Sequence, residues 1–148
     1  MCGIAGILSP RLKAAASGKD QLDIRTMSDQ LAHRGPDGSG YWQNDAQTIQ
    51  LGHRRLAVID TSAAAAQPMH YAQRFTIVYN GELYNYLELR KTLERFGHQF
   101  RTNSDTEVIL AAFDQYREGC LQYFDGMFAL AIWDEKEQQL LGMAYNSL

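Results

Sequence analysis

Cysteine is scarce in this chain of 148 residues: Cys2 and Cys120 are too few for a disulfide framework. That scarcity suits a reducing compartment, and the cytoplasm is the expected location. Long apolar runs are missing as well. The longest, Met127 to Trp133, falls far short of the ~20 residues a membrane-spanning helix requires, so no membrane is expected as a partner. No cationic stretch precedes the apolar opening Cys2 to Leu8, and the first cation is Arg11, which argues against a secretory signal. With 14 basic against 17 acidic side chains and a net charge of −3, the chain lacks the basic excess that a phosphate backbone demands. Nucleic acid is thereby excluded as an expected partner. His33, His53, His70 and His98 show no metal-ligand spacing, and neither cysteine has a second one two residues away. No glycine cluster matches a Walker loop or a dinucleotide fingerprint, so neither a metal nor a nucleotide cofactor is expected.

What remains is one ordinary globular domain, 45% apolar and 11% aromatic. A chain of this length can bury roughly 68–70% of the surface its unfolded form exposes, enough for a core without staples. β-Branched and aromatic residues between turn signals predict strands at Gly3 to Leu8, Ser39 to Gln43, Thr48 to Ile59, Phe75 to Tyr79, Gln99 to Thr102, Met127 to Trp133 and Gln139 to Ala144. The charged Asp134 to Gln138 reads as a hairpin connection. Helices are expected from Leu22 to Ala32, from Leu83 to Phe96 with Leu89, Leu93 and Phe96 on one face, and after Ser104. There Ser104 and Glu107 form a capping box opening one apolar stripe, with Gly119 closing the helix. Ala14 to Ala16 and Ala63 to Ala66 read as loops. Strands at both ends with helices between them argue for α+β with mainly antiparallel sheet.

Cys2 follows the initiator Met, and a small residue there normally permits Met removal, which would leave the thiol on the first residue of the chain. A free α-amine has a pKa of roughly 7.7–8.0 against ~8.5 for a thiol, so one residue supplies both nucleophile and matched base. The alternative is a small apolar residue opening a buried strand. Asn80-Gly81, after the strand at Phe75 to Tyr79, can aim a side-chain amide and a backbone N–H at one point, as an oxyanion requires; alone, the dipeptide reads as a plain turn. Arg54 and Arg55 interrupt an apolar strand on opposite faces, and a half-buried guanidinium seeks a carboxylate, internal or from a ligand. Asp105, in the first turn of the capped helix, can simply be an acid favoured by the helix field. Cys120 reads as core.

Taken together, Met1-Cys2-Gly3-Ile4-Ala5-Gly6, His33-Arg34-Gly35-Pro36-Asp37, Arg54-Arg55-Leu56-Ala57-Val58-Ile59-Asp60, Gln67-Pro68-Met69, Tyr79-Asn80-Gly81-Glu82, Ser104-Asp105-Thr106-Glu107 and Phe124-Asp125-Gly126-Met127-Phe128-Ala129 resemble the class II glutamine amidotransferase domain of glutamine-hydrolysing asparagine synthetases. The order and spacing of the blocks is more specific than any one of them. The resemblance implies the αββα sandwich of N-terminal nucleophile hydrolases, two mainly antiparallel sheets with outer helices, over residues 2–148. It implies that Cys2 is the nucleophile, Asn80 and Gly81 the oxyanion hole, and Arg55 the grip on the α-carboxylate of L-glutamine. Glu82 and Asp105 would receive the α-ammonium, and the backbone of Leu56, Ala57, Val58 and Ile59 would line the pocket. No cofactor is implied for this step; ATP and Mg belong to a synthetase domain or subunit, the expected ammonia acceptor, which this chain lacks, and a homodimer is conceivable. The tail Gly142 to Leu148 departs from the family pattern, so the last strands are expected to be missing. The rival expectation is a non-catalytic truncated fragment or accessory subunit needing a partner chain.

Overall fold

The computed structural model describes residues 1–9 and 23–146. The expected alanine loop at 14–16, the first residue of the expected helix at Leu22 and the last two residues lie outside that range. Among the described residues, seven strands form two antiparallel sheets. Sheet A has the order β1 (Gly3–Leu8), β3 (Ile49–Arg55), β2 (Gly38–Gln43). Sheet B has the order β4 (Met69–Tyr71), β5 (Phe75–Leu83), β6 (Gly126–Asp134), β7 (Gln139–Asn146). The hairpin expected at Asp134 to Gln138 joins β6 to β7.

The sheets face one another because alternate residues on each carry apolar side chains inward. Ile49 and Leu51 of β3 meet Val78 of β5 and Trp133 of β6, with Ile4 and Trp42 at the margins. Helix α1 (Ile24–Asp29) covers the outer face of sheet A, started by Asp23, whose carboxylate accepts from the Arg25 N–H at 2.9 Å. It lies so close that a side chain at Gly52 would strike Ser28 and Ile24. Helices α2 (Tyr86–Arg95) and α3 (Asp105–Tyr116) cover sheet B, where Phe75, Ile77, Leu130 and Ile132 pack against Leu93, Ile109 and Leu110. The order helix, sheet, sheet, helix is the four-layer α+β arrangement expected. No helix among the described residues is long and apolar enough to cross a membrane.

Several expected elements differ. Gln99 to Thr102 forms no strand, because its N–H groups have another acceptor: the Glu107 carboxylate takes Arg101 N–H at 2.9 Å and Thr102 N–H at 2.7 Å. Only half of the capping box therefore forms; the Ser104 hydroxyl accepts from Glu107 N–H at 3.3 Å, while Glu107 reaches past Ser104. α3 is not amphipathic but buried through its first nine residues, Asp105 to Phe113. It ends at Tyr116, where Arg117 takes φ 54°, and a 3-10 segment over Arg117–Tyr123 absorbs Gly119. α2 starts three residues later than expected because β5 runs on to Leu83, and Phe96 caps it in solvent rather than joining Leu89 and Leu93. Gly97 does follow that helix, at φ 94°, with His98 N–H bonded back to the Leu93 carbonyl. Ala63–Ala65 is a 3-10 turn rather than loop, and β4 was not anticipated.

Candidate active site

β3 stops at Arg55, four residues short of the expected Ile59, because β1 and β2 give it no neighbour beyond that point. Side chains take over the ladder. Leu56 N–H points to the Cys2 sulfur at 3.3 Å, and Ala57 N–H donates to the Asp37 carboxylate at 2.9 Å. The segment Leu56 to Asp60 is thus held as loop, not strand, and forms one wall of a cavity of about 270 Å³. Cys2 stands at the floor, with its thiol 3.5 Å from the Leu56 carbonyl.

The block His33 to Asp37 acts as a brace behind that floor. Arg34 donates Nε–H to the Cys2 carbonyl at 3.2 Å, and Asp37 N–H bonds the Arg55 carbonyl at 2.9 Å. Gly35 lies against the Arg54–Arg55 backbone, where any Cβ would overlap main-chain atoms. The two arginines diverge as alternation demands. Arg54 pairs with Asp29 at 2.8 Å on the outer face. Arg55 faces the cavity, its guanidinium held by the carbonyls of Asp60 and Ser62 and paired with no carboxylate among the described residues.

The opposite wall comes from sheet B. Asn80 and Gly81 do not form a turn; they lie within β5, paired with Ala129 and Phe128 of β6. Asn80 shares strand parity with Val78 and so faces sheet A and the cavity. Gly81 has φ 150°, and a Cβ there would overlap the Met127 carbonyl, a conformation and a clearance that only glycine meets. Glu82 is exposed at the rim beside Met127.

The N-terminus of α3 closes one end. Asp105 is 5% exposed, and its carboxylate accepts from the Tyr79 hydroxyl at 2.9 Å and from Leu83 N–H at 3.1 Å. Burial raises its pKa above the ordinary carboxylate value, against the pull of those bonds. Tyr79 is pushed up as well, by burial first and by the Asp105 charge second.

All the residues singled out from the sequence, Cys2, Arg55 to Ile59, Asn80, Gly81, Glu82 and Asp105, line this one cavity. Sequence reasoning missed His53, Gln67, Tyr79 and Thr106 in its wall. Gln67, of the block Gln67-Pro68-Met69, reaches β5 with its side chain: its Oε1 accepts from Tyr79 N–H at 2.6 Å. His53 has no metal-ligand spacing in the sequence; strand parity with Arg55 is the signal that points it into the cavity.

Comparison with known proteins gives the family of the chain. A family profile described as "Glutamine amidotransferase domain" matches residues 1–144. Asparagine synthetase (glutamine-hydrolyzing) 1 of Bacillus subtilis is 39% identical over 143 residues, covering 96% of this chain and 22% of that protein. Asparagine synthetase (glutamine-hydrolyzing) 3 of the same organism is 43% identical over 143 residues, with 95% and 22% covered. Amidase chry2 of Gibberella zeae is 37% identical over 150 residues, again spanning 95% of this chain and 22% of the relative. The chain therefore spans about a fifth of the length of these curated relatives. The solved glutamine phosphoribosylpyrophosphate amidotransferase of B. subtilis superimposes with a TM-score of 0.63 at 22% identity, over 90% of this chain and 35% of that one, a likeness of fold. On the profile's span and the identity of the relatives, the chain belongs to the glutamine amidotransferase domain family.

Proposed function

We propose that this chain hydrolyses L-glutamine to glutamate and ammonia, with the Cys2 thiol as nucleophile, and that the ammonia serves a synthetase domain or subunit of asparagine-synthetase type. The observation that carries this is one cavity lined by a thiol, an Asn-Gly pair, an arginine with no ion-pair partner among the described residues, and a buried acid. Removal of Met1 would free the Cys2 α-amine to take the thiol proton. The thiolate then adds to the side-chain carboxamide carbon of glutamine, and the carbonyl oxygen becomes an oxyanion. Asn80 would donate to that oxygen from its side-chain amide. Strand alternation turns the Gly81 N–H to the same edge of β5 as the Tyr79 N–H, the edge that β4 leaves uncovered beyond Ile77, so Gly81 would supply a second donor. Collapse of the adduct breaks the C–N bond, ammonia leaves with the proton held by the amine, and water hydrolyses the thioester.

Arg55 suits the α-carboxylate of glutamine, since its guanidinium already points into the cavity and, among the described residues, is held by carbonyls alone. Asp105 suits the α-ammonium: an acid whose charge is disfavoured by burial gains most from a cation brought against it. Glu82 at the rim would share that role. Recognition of both α-substituents favours free glutamine over a peptide amide. The reaction so written draws on no metal and no cofactor in this chain, and the cytoplasm is its natural setting.

The test is turnover of glutamine by purified chain whose N-terminus has been fixed by intact mass. Processed protein should release ammonia and glutamate in equal amounts, and Cys2→Ala should release neither. Glutamine at 100 times its Kd should also add about 2.7 kcal/mol to unfolding stability. Full turnover with Met1 still attached would sink the mechanism.

A further inference from the structure

One buried imidazole in the cavity wall is unused by the reaction just described. His53 sits on the inner face of β3, after Ile49 and Leu51 and before Arg55, and is 1% exposed. Its Nε2 lies 3.2 Å from the Tyr79 carbonyl, a bond that crosses from sheet A to sheet B. A carbonyl can only accept, so Nε2 carries the proton and Nδ1 is a bare acceptor. That Nδ1 is buried without a partner among the described residues.

The Tyr79 carbonyl belongs to the peptide unit whose nitrogen is that of Asn80. β4 pairs with β5 only from Phe75 to Ile77, so at Tyr79 no strand holds this edge. Two side chains stand in for it: Gln67 takes the Tyr79 N–H and His53 the Tyr79 carbonyl. We propose that His53 is a positioning residue for the oxyanion donors, fixing through the Tyr79 carbonyl the peptide from which Asn80 projects into the cavity. The inference rests on the reading of Asn80 and Gly81 given above.

Stability alone does not explain this residue. A buried ring with one nitrogen unpaired is disfavoured relative to an apolar side chain of similar size, so leucine would serve a purely structural position better. Nor is the ring a base for the thiol: burial lowers its pKa to about 4, and the Cys2 sulfur is hydrogen-bonded to the backbone of Leu56, not to the ring. What His53 supplies that leucine cannot is one N–H aimed at one carbonyl.

The experiment compares His53→Leu, which removes the donor, with His53→Gln, whose Nε2 can reach the same carbonyl, each in processed wild type and in the Asn80→Ala background. His53→Leu should lower kcat by about 10- to 10²-fold with little change in KM, the scale of a misplaced catalytic group. His53→Gln should recover most of that loss. In the Asn80→Ala background His53→Leu should cost nothing further, and its melting temperature should not fall below that of wild type. A second readout needs no turnover: the side-chain amide resonances of Asn80 in a proton–nitrogen spectrum should shift in His53→Leu and return in His53→Gln. Wild-type turnover in His53→Leu, an equal loss with and without Asn80, or Asn80 resonances indifferent to position 53 would overturn the proposal. If processed wild type hydrolyses no glutamine the functional reading fails, and the Asn80 resonances still decide whether His53 sets that side chain.

Discussion

At the scale of single residues, the cavity sets Arg55 and Asp105 against the Asn80-Gly81 pair of β5, proposed above as the oxyanion donors. An oxyanion donor acts only as charge develops, so Asn80→Ala should lower kcat by about 10²–10³, some 2.7–4 kcal/mol, while KM for glutamine moves little. Steady-state kinetics of the processed protein measure this, and unchanged turnover would remove Asn80 from the mechanism. Gly81 is a different case because its backbone is in question. At φ 150° with the Met127 carbonyl where a Cβ would go, Gly81→Ala must push β5 away from β6, and both turnover and melting temperature should fall. A variant that melts like wild type yet is inactive would mean the strain is relieved locally, at the expense of the N–H direction.

Among elements, the lesson is how a strand ends. β3 leaves the sheet at Arg55 because Cys2 and Asp37 receive the next two N–H groups, and that departure turns Leu56 to Asp60 into cavity wall. Apolar pattern extends the strand to Ile59 since Ala57, Val58 and Ile59 look like more of the same; the acceptors that stop it come from residues twenty and more positions away. The same reason explains Gln99 to Thr102, where the N–H groups of Arg101 and Thr102 meet the buried Glu107 rather than a ladder. By contrast the β6–β7 hairpin, the Ser104 cap and the Gly97 terminus were legible, because each depends on neighbours in sequence. That Cys2, Arg55, Asn80, Gly81, Glu82 and Asp105 would gather round one cavity was legible for a third reason, the resemblance of ordered blocks; the supporting His53, Gln67 and Arg34 were not, because their partners, Tyr79 and the Cys2 carbonyl, lie far away in sequence. Two tests follow at this scale. Arg34→Ala removes the Nε–H that fixes the Cys2 carbonyl and should lower kcat while leaving the apolar core intact, a split read by kinetics beside a melting curve. Glu107→Gln replaces a carboxylate that accepts from Arg101, Thr102 N–H and Thr102 hydroxyl, and it should destabilise by about 1–3 kcal/mol in urea titration.

Across the whole molecule, the inner face of β3 runs from dry to wet: Ile49 and Leu51 in the core between the sheets, then His53, then Arg55 in the cavity. His53 marks the boundary, and its titration therefore reports the integrity of the two-sheet interface. In the folded chain burial lowers its pKa from 6.5 to about 4. Between those values the unfolded chain binds a proton that the folded chain refuses, so stability rises with pH through that window and falls on acidification. Going from pH 7 to pH 5 traverses about 1.5 pH units of it, or roughly 2 kcal/mol. His70, also lowered by burial, adds to the slope with the same sign, and Asp105, raised by burial, opposes it at the acid end. The contribution of His53 is isolated by difference: the urea midpoint of wild type relative to that of His53→Gln should rise from pH 5 to pH 7, at equal m-values. Parallel curves across that range would mean that the ring takes up its proton in the folded state, which requires water between the sheets at the floor of the cavity and a looser interface than the packing of Leu51, Val78 and Trp133 describes.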